Sequence, residues 1–216
     1  MGQAVLRSAG VRPKLAELAA PGHTALVTQE CQGAVMGVDA GLAVLAAEAR
    51  REALPNITRL VPLARRAGVR VVHCLVQRRP DGLGSNHNAR LFGAAARGVD
   101  LAPGSVGATL LPELGPESSD LVLTRWHGVG PMGGTDLDAV LRNLGVTTIV
   151  AVGVSLNIAI PNLVMDAVNH GYRVVLPRDA VAGHPAEYGA AVIDYSLSLL
   201  ATVTTTDELV DAWRPR

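Results

Sequence analysis

Short runs of β-branched and small apolar residues alternate along the chain with longer segments of helical character. The short runs predict six strands, at residues 24–29, 69–76, 120–124, 147–153, 172–176 and 201–205. The longer segments predict helices at residues 41–53, 55–67, 89–96, 136–143 and 186–200, and one that starts near residue 159. Strands that alternate with helices are typical of βαβ units with right-handed crossovers, so the pattern predicts an α/β protein with a parallel sheet.

Residues 147–159, with the sequence TTIVAVGVSLNIA, mark the place where we expect chemistry. This stretch begins as a buried strand, breaks at Gly153 and continues into a helix. Open α/β sheets bind their ligands outside the carboxyl ends of the strands, which is where such a transition lies. A polar loop at residues 77–88 follows another predicted strand, and loops of this length in compact domains are usually functional or mobile.

Composition narrows the class of protein. The 216 residues are 49% hydrophobic and 18% charged, and they suit one domain over residues 1–216 with an N-terminal arm at residues 1–20. The formal net charge of zero gives no reason to expect nucleic acid or a membrane surface as a partner. No apolar run approaches the ~20 residues of a membrane-spanning helix. The start of the chain lacks the apolar core of a signal peptide, and two cysteines make no disulfide framework, so we expect a cytoplasmic protein.

Four segments carry a family resemblance, namely TALVTQECQG, VVHC, LTRWHGVGPMGGTDLDAVLRNLGV and VAVGVSLNIAIPNLVMDAVNHGYRVVLPRDA. Together they resemble the isochorismatase-like (cysteine hydrolase) superfamily, from about Thr24 to Thr206. That superfamily includes nicotinamidases, carbamoylsarcosine-type amidases and isochorismatases. The resemblance implies a three-layer α/β/α fold with a six-stranded, mainly parallel, doubly wound sheet.

The resemblance also implies three site positions, and this chain departs from the usual residue at each. The superfamily commonly has an Asp after the first strand, a Lys after the third and a Cys where the helix after the fourth begins. These positions fall on Glu30, Arg125 and Ala159. The catalytic positions that we expect are therefore these three, with Ala159 standing where the family nucleophile would be.

Glu30 keeps a carboxylate and Arg125 keeps a positive charge, so part of the chemistry is retained. A carboxylate moved outward by one methylene can still act as a general base if the pocket fits it. Arginine cannot release a proton near neutral pH, but it can hold a substrate carboxylate through two parallel hydrogen bonds. The two residues can equally form a semi-buried ion pair, and such a pair does not exclude function.

Ala159 excludes a covalent thioester route through its own position, because alanine carries no nucleophile. In an extended chain Cys31 would point away from Glu30. Cys74 on the second strand is expected to be a small buried residue, and its neighbour His73 a hydrogen-bonded core residue. True isochorismatases also lack the cysteine, and by resemblance their carboxylate assists attack by water on a vinyl ether. The missing thiol argues against amidase chemistry without excluding hydrolysis.

Several further residues are expected to bind substrate. Trp126 and His127 follow Arg125 directly, and Asn86 and His87 lie in the polar loop. The resemblance implies a cis peptide bond between Val154 and Ser155, and we expect free amides near Asn157 and Ala159 to stabilise an anion. These predicted substrate-binding residues are Trp126, His127, Val154, Ser155, Asn157, Asn86 and His87.

No cofactor or metal is expected. Nicotinamidase-like members bind a divalent metal through one Asp and two His residues, whereas the polar loop of this chain offers Asp81 and His87 without a second nearby histidine.

Two hypotheses of function follow from these residues. The first is an isochorismatase-like hydrolase that acts on a small, anionic molecule by a non-covalent route. The second is a catalytically inactive or repurposed relative that binds a small molecule or serves as an oligomeric scaffold. In both cases the resemblance implies a homodimer or homotetramer. An enclosed pocket faced by Glu30 and Arg125 would favour chemistry or binding, and a pocket filled by the two side chains would favour a scaffold.

Overall fold

The computed structural model describes residues 14–95 and 99–214, and a parallel sheet lies at its centre. Seven strands form this sheet: β1 (Thr24–Gln29), β2 (Arg70–Val76), β3 (Leu121–Arg125), β4 (Thr148–Val154), β5 (Arg173–Pro177), β6 (Val181–Ala182) and β7 (Thr202–Thr204). The order is β3-β2-β1-β4-β5-β7, with β6 paired to the end of β4, and every pairing is parallel. The predicted α/β class and parallel sheet are confirmed.

Helices cover both faces of the sheet. They are α1 (Leu15–Leu18), α2 (Gly33–Met36), α3 (Ala43–Glu48), α4 (Leu54–Ala67), α5 (Arg90–Ala95), α6 (Pro131–Gly134), α7 (Leu137–Asn143), α8 (Ala159–Asn169), α9 (Ala186–Tyr195) and α10 (Thr206–Ala212). Of the helices described, none is long and apolar enough to cross a membrane. Residues 1–13, most of the predicted N-terminal arm, lie outside the described residues.

The short helices α2 and α6 lie where no helix was expected, and the structure differs from the expected elements in three further places. Strand β6 lies where the sequence pattern predicts no strand, because two residues are too few to show a periodic pattern. The two helices expected at residues 41–53 and 55–67 are one continuous run, since a π-helical segment (Ala49–Ala53) joins α3 to α4. Pro55 lies just after the π-helical segment, and because proline has no N–H, it donates no hydrogen bond to the preceding turn. The third difference is α10, which no pattern indicated; Thr205 and Glu208 begin it with a capping box.

Two apolar layers fill the space between the sheet and the helices. On one face, β1 contributes Leu26, which packs in a cluster with residues of α4 such as Ile57 and Leu60. On the other face, Val27 of β1 belongs to a cluster with residues of α7 and α8, among them Leu141 and Leu163. Consecutive residues of a strand point to opposite faces, so β1 serves both clusters. The result is the expected three-layer α/β/α arrangement.

A polar network is buried within this apolar frame. The Thr28 hydroxyl lies 2.8 Å from Nδ1 of His73, and Nε2 of His73 lies 3.4 Å from Oδ2 of Asp120. Arg65 of α4 donates to both carboxylate oxygens of Asp120, at 3.1 and 2.5 Å. His73 is therefore the hydrogen-bonded core residue that its position in the strand suggested. The network ties β1, β2 and α4 to the start of β3.

We predict that this network makes the fold sensitive to acid. Burial lowers the pKa of His73, with Asp120 opposing only in part. Burial alone would raise the pKa of Asp120, but its bonds to Arg65 and to the Glu117 amide lower it on balance. Since both groups bind protons less readily when folded, the unfolding free energy falls as pH drops below about 6.5, and again below about 3.9.

For one titrating group, the unfolding free energy changes by at most ~1.4 kcal/mol per pH unit. Urea denaturation at pH 7.5, 6.5 and 5.5 measures it, and His73→Gln should flatten the dependence in this range. His87→Gln, which changes an exposed histidine, is the matched control and should keep the wild-type slope. Equal slopes for wild type and His73→Gln would contradict the assignment.

Candidate active site

The carboxyl edge of the sheet brings together the three expected catalytic positions. Glu30 directly follows β1, Arg125 is the last residue of β3 and Ala159 is the first residue of α8. All three line one cavity of about 250 Å³, and Ser155 joins them. Glycine is required beneath the site at position 153, where φ is +111° and a side-chain carbon would lie 2.2 Å from the carbonyl oxygen of Gln29.

Glu30 is held by its backbone as well as by its side chain. Its φ of +55° lies in the left-handed region, which few non-glycine residues adopt. Its amide donates to the carbonyl of Cys74 at 2.9 Å, and Oε1 of its carboxylate accepts a 3.2 Å hydrogen bond from Nε2 of Gln29. The chain is thus not extended at this point. Cys31 nevertheless points away from the cavity and into the core cluster on one face of the sheet.

Arg125 forms an ion pair with Glu30, through Nη2 and Oε1. Nε of Arg125 donates to the carbonyl of Gly128 at 3.3 Å. The third nitrogen, Nη1, is buried and has no hydrogen-bond partner among the described residues. Oε2 of Glu30 also has no hydrogen-bond partner among the described residues. The pair leaves a cavity beside it. Oε2 of Glu30 is an unused acceptor there, whereas Nη1 of Arg125 has almost no accessible surface and does not face the cavity.

The end of the cavity at Glu30 and Arg125 is polar, and the backbone between β4 and α8 forms its third side. The bond between Val154 and Ser155 is cis, which confirms the prediction. The carbonyl of Ser155 accepts from the amides of Ile158 and Ile160, at 3.2 and 3.0 Å. Within the described part of the chain, the amides of Asn157 and Ala159 have no acceptor. The backbone at the start of α8 therefore carries unused donors, and helix N-termini favour anions for this reason.

Apolar side chains form the rest of the cavity wall. They come from α2, α3, α5, the end of β2 and several loops, and include Leu42, Leu45, Leu91, Phe92, Leu101 and Val129. Sequence reasoning did not find these residues, because they come from segments far apart in the chain and none carries a chemical signature. Gln29 and Gln32 were missed as well. Gln32, buried, donates to the carbonyls of Val76 and Gly107 and fixes the loop next to the site.

The other expected substrate-binding residues lie around the cavity and do not line it. Trp126 is 44% exposed, and His127 is exposed beside it. Asn86 accepts a 2.7 Å hydrogen bond from the amide of Gly128, so it fastens the polar loop to the segment after Arg125. Asn157 bonds through its side chain to both backbone groups of His184.

Val154 and His87, the two other expected substrate-binding residues, also do not line the cavity. Val154 is fully buried at the end of β4, with only its successor Ser155 at the cavity. His87 lines a separate cavity of about 400 Å³ together with Arg78 and Arg79.

Neither cysteine can replace the missing nucleophile. Burial raises the pKa of both Cys31 and Cys74 to about 12, so both thiols stay protonated near neutral pH.

The residues of the polar loop also do not fit a metal. Asp81 is engaged by Nε and Nη2 of Arg79 at 3.0 and 2.7 Å, and by the amide of Leu83. Across residues 14–95 and 99–214, no three His, Cys, Asp or Glu side chains are grouped to hold an ion.

These features define an α/β protein with a ligand cavity at the carboxyl edge of a parallel sheet. The model of the isochorismatase domain matches residues 24–208, and the chain belongs to the isochorismatase family. It is 30% identical to the isochorismatase family protein YwoC of Bacillus subtilis (strain 168) over 48% of this chain and 54% of that protein. The match thus spans only about half the length of YwoC.

Two other similarities cover more of the chain. The ureidoacrylate amidohydrolase RutB of Enterobacter sp. (strain 638) is 25% identical over 91% of each chain. A cysteine hydrolase from Pseudomonas syringae pv. phaseolicola 1448A has the same fold, with a TM-score of 0.79 at 24% identity, over 89% of this chain and 93% of that one.

We predict that Ala159→Cys creates a reactive thiol where the native chain has none. A cysteine there would lie at the start of α8 and line the cavity beside Arg125, and both features lower a thiol pKa. Iodoacetamide at pH 7.5 should label this variant at least ~10-fold faster than the native wild type, as followed by mass spectrometry. Denatured wild type should take two labels and so control for detection. Rapid labelling of the native wild type would contradict the inert state of Cys31 and Cys74.

Proposed function

We propose that the protein is a hydrolase that acts on a small anionic molecule by attack of water, without a covalent intermediate. The observation that carries this proposal is the convergence of Glu30, Arg125 and the start of α8 on one open cavity that no thiol lines. The relatives support hydrolysis in general, since RutB is a ureidoacrylate amidohydrolase.

Glu30 is proposed as the acid/base. Its Oε2 is unused by the described protein groups, so it can accept a proton from a water molecule in the cavity or give one to a leaving group. Arg125 is proposed as the anchor, since it lines the cavity and carries a positive charge that suits a negatively charged oxygen. The free amide of Ala159, which lines the cavity, is proposed to stabilise negative charge that develops during the reaction.

A second candidate function is supported by the ion pair itself. Glu30 and Arg125 already bond to each other, so the carboxylate is engaged before any substrate enters the cavity. A repurposed relative that binds a small molecule in the same cavity without turning it over would keep this arrangement. Activity and binding must therefore be measured separately.

The proposed hydrolysis is tested with a panel of amides, carboxylic esters and vinyl ethers, each presented to wild type and to Glu30→Gln. We expect turnover of at least one member, and a fall of ~10²- to 10⁴-fold in kcat for the variant, because a positioned acid/base contributes that much. Glu187→Gln makes the same change on an exposed side chain that does not line the cavity and should retain full activity. No turnover across the panel would favour the second function, and turnover that survives Glu30→Gln would remove Glu30 from the mechanism.

We also propose that the chain forms a homodimer or homotetramer. Leu121 and Val122 on the outermost strand β3 are exposed, as is Leu42 at the cavity, and exposed apolar side chains of this kind are usual at subunit contacts. Light scattering should give a mass two or four times the 22.4 kDa of the chain. A monomer at micromolar concentration would refute this proposal.

A further inference from the structure

The side chain of Arg125 is held at two points within the described chain. Nη2 bonds to Glu30, and Nε donates to the carbonyl of Gly128 at 3.3 Å. The second bond is longer than most N–H···O hydrogen bonds, so it depends closely on where the carbonyl of Gly128 lies. The position of Gly128 therefore decides how the guanidinium is turned toward Glu30.

Gly128 begins a glycine-rich segment, residues 128–134, with the sequence GVGPMGG. Its φ of +71° lies in the left-handed region, which glycine adopts without strain. Of the backbone amides of residues 126–130, only that of Gly128 donates a hydrogen bond to another described residue. That bond goes to Oδ1 of Asn86 and is 2.7 Å long. A residue with wide conformational freedom is thus fixed by one side chain from another loop.

Asn86 lies in the polar loop at residues 77–88, and both ends of this loop reach the segment around Arg125. At the start of the loop, the amide of Gln77 donates to the carbonyl of Arg125 at 2.9 Å. Near the end of the loop, Asn86 accepts from Gly128 and donates through Nδ2 to Oδ1 of Asn88 at 3.2 Å. The loop therefore fixes the backbone of Arg125 at one end and the partner of its side chain at the other.

The glycine-rich segment also leaves room for the aliphatic stem of Arg125. A side-chain carbon at position 134 would lie 3.0 Å from Cβ and 3.3 Å from Cδ of Arg125, which is closer than the optimal separation of two carbon atoms. Gly134 thus lets α6 approach the stem without pushing it aside. The hydrogen bonds at the far end of the side chain are then what sets its direction.

We propose that Asn86 is a positioning residue for the pair of Glu30 and Arg125. By fixing the amide of Gly128, it places the carbonyl that holds Nε of Arg125, and Nη2 is then directed at Glu30. This inference rests on the proposed function only in assigning catalysis to the pair. Asn86, expected as a substrate-binding residue, does not line the cavity and acts on the site through Gly128.

Hydrogen exchange of the arginine Nε–H groups, followed by heteronuclear NMR of the full chain, tests the proposal without a substrate. The signal of Arg125 is assigned by its loss in Arg125→Lys. The internal reference is Arg65, whose Nε donates to Asp120 at 3.1 Å. In Asn86→Ala we expect the Nε–H of Arg125 to exchange at least ~5-fold faster, because it loses its fixed acceptor, and that of Arg65 to be unchanged. A general loss of stability would accelerate both.

Two further variants serve as controls. Asn86→Asp keeps an oxygen that accepts from the amide of Gly128, so the Nε–H of Arg125 should still exchange slowly. Asn56→Ala removes a different hydrogen bond from an asparagine side chain to the backbone, at the carbonyl of Asp179, and should leave the exchange of Arg125 unchanged. Asn86→Ser, a milder change, takes the place of Asn86→Ala if that variant does not fold.

Unchanged exchange at Arg125 in Asn86→Ala, equal acceleration at Arg125 and Arg65, or fast exchange in Asn86→Asp would each overturn the proposal. With a substrate from the hydrolysis panel, Asn86→Ala should lower kcat ~10-fold or more while KM changes less, because it displaces catalytic groups and removes no contact to the substrate. Full kcat in this variant would also overturn the proposal. If no panel member is hydrolysed, the proposed function fails and the exchange rates alone decide this inference.

Discussion

The ion pair between Glu30 and Arg125 is the interaction on which the site depends. Opposite charges removed from water are tolerated when they are paired, and loss of one partner leaves the other buried at a cost of several kcal/mol. Glu30 reaches this position because its backbone adopts φ +55° at the end of β1, where its amide bonds to the neighbouring strand. Arg125 reaches it from β3, two strands away. The pair thus fixes the spacing of the sheet edge as well as the charge of the cavity.

The order of the strands makes this convergence possible. Strands β1 and β4 lie side by side at the centre, and Gln29 is level with Gly153 in their register. A side chain at position 153 would collide with the backbone of Gln29, so the glycine lets the two strand ends approach closely. Because the strands are parallel, their carboxyl ends all open on the same edge. Residues widely separated in the chain meet there without any long-range signal in the sequence.

Much of the fold could be predicted from the sequence, whereas less of the site could. Runs such as residues 24–29 and 70–76 are β-branched and apolar, and these runs are strands in the structure. Apolar periodicity says nothing about a two-residue strand such as β6. The cavity walls could not be predicted, since Phe92 and Leu101 become neighbours of Arg125 only through tertiary packing. The same limit applies to Trp126, whose adjacency to Arg125 suggested a substrate contact although its side chain is 44% exposed and does not line the cavity.

The two charged residues make sense when they are considered together. By resemblance, the positions of Glu30 and Arg125 correspond to an Asp and a Lys, so both side chains are longer here. A lysine ammonium is a compact point charge, whereas a guanidinium can hold a carboxylate with one amino group and offer another to a ligand. In the structure Nη2 of Arg125 holds Glu30 and Nε donates to the carbonyl of Gly128, so the guanidinium fixes the carboxylate in place. The absence of a thiol at Ala159 excludes a covalent route through that position, while Glu30, Arg125 and the start of α8 still line one cavity.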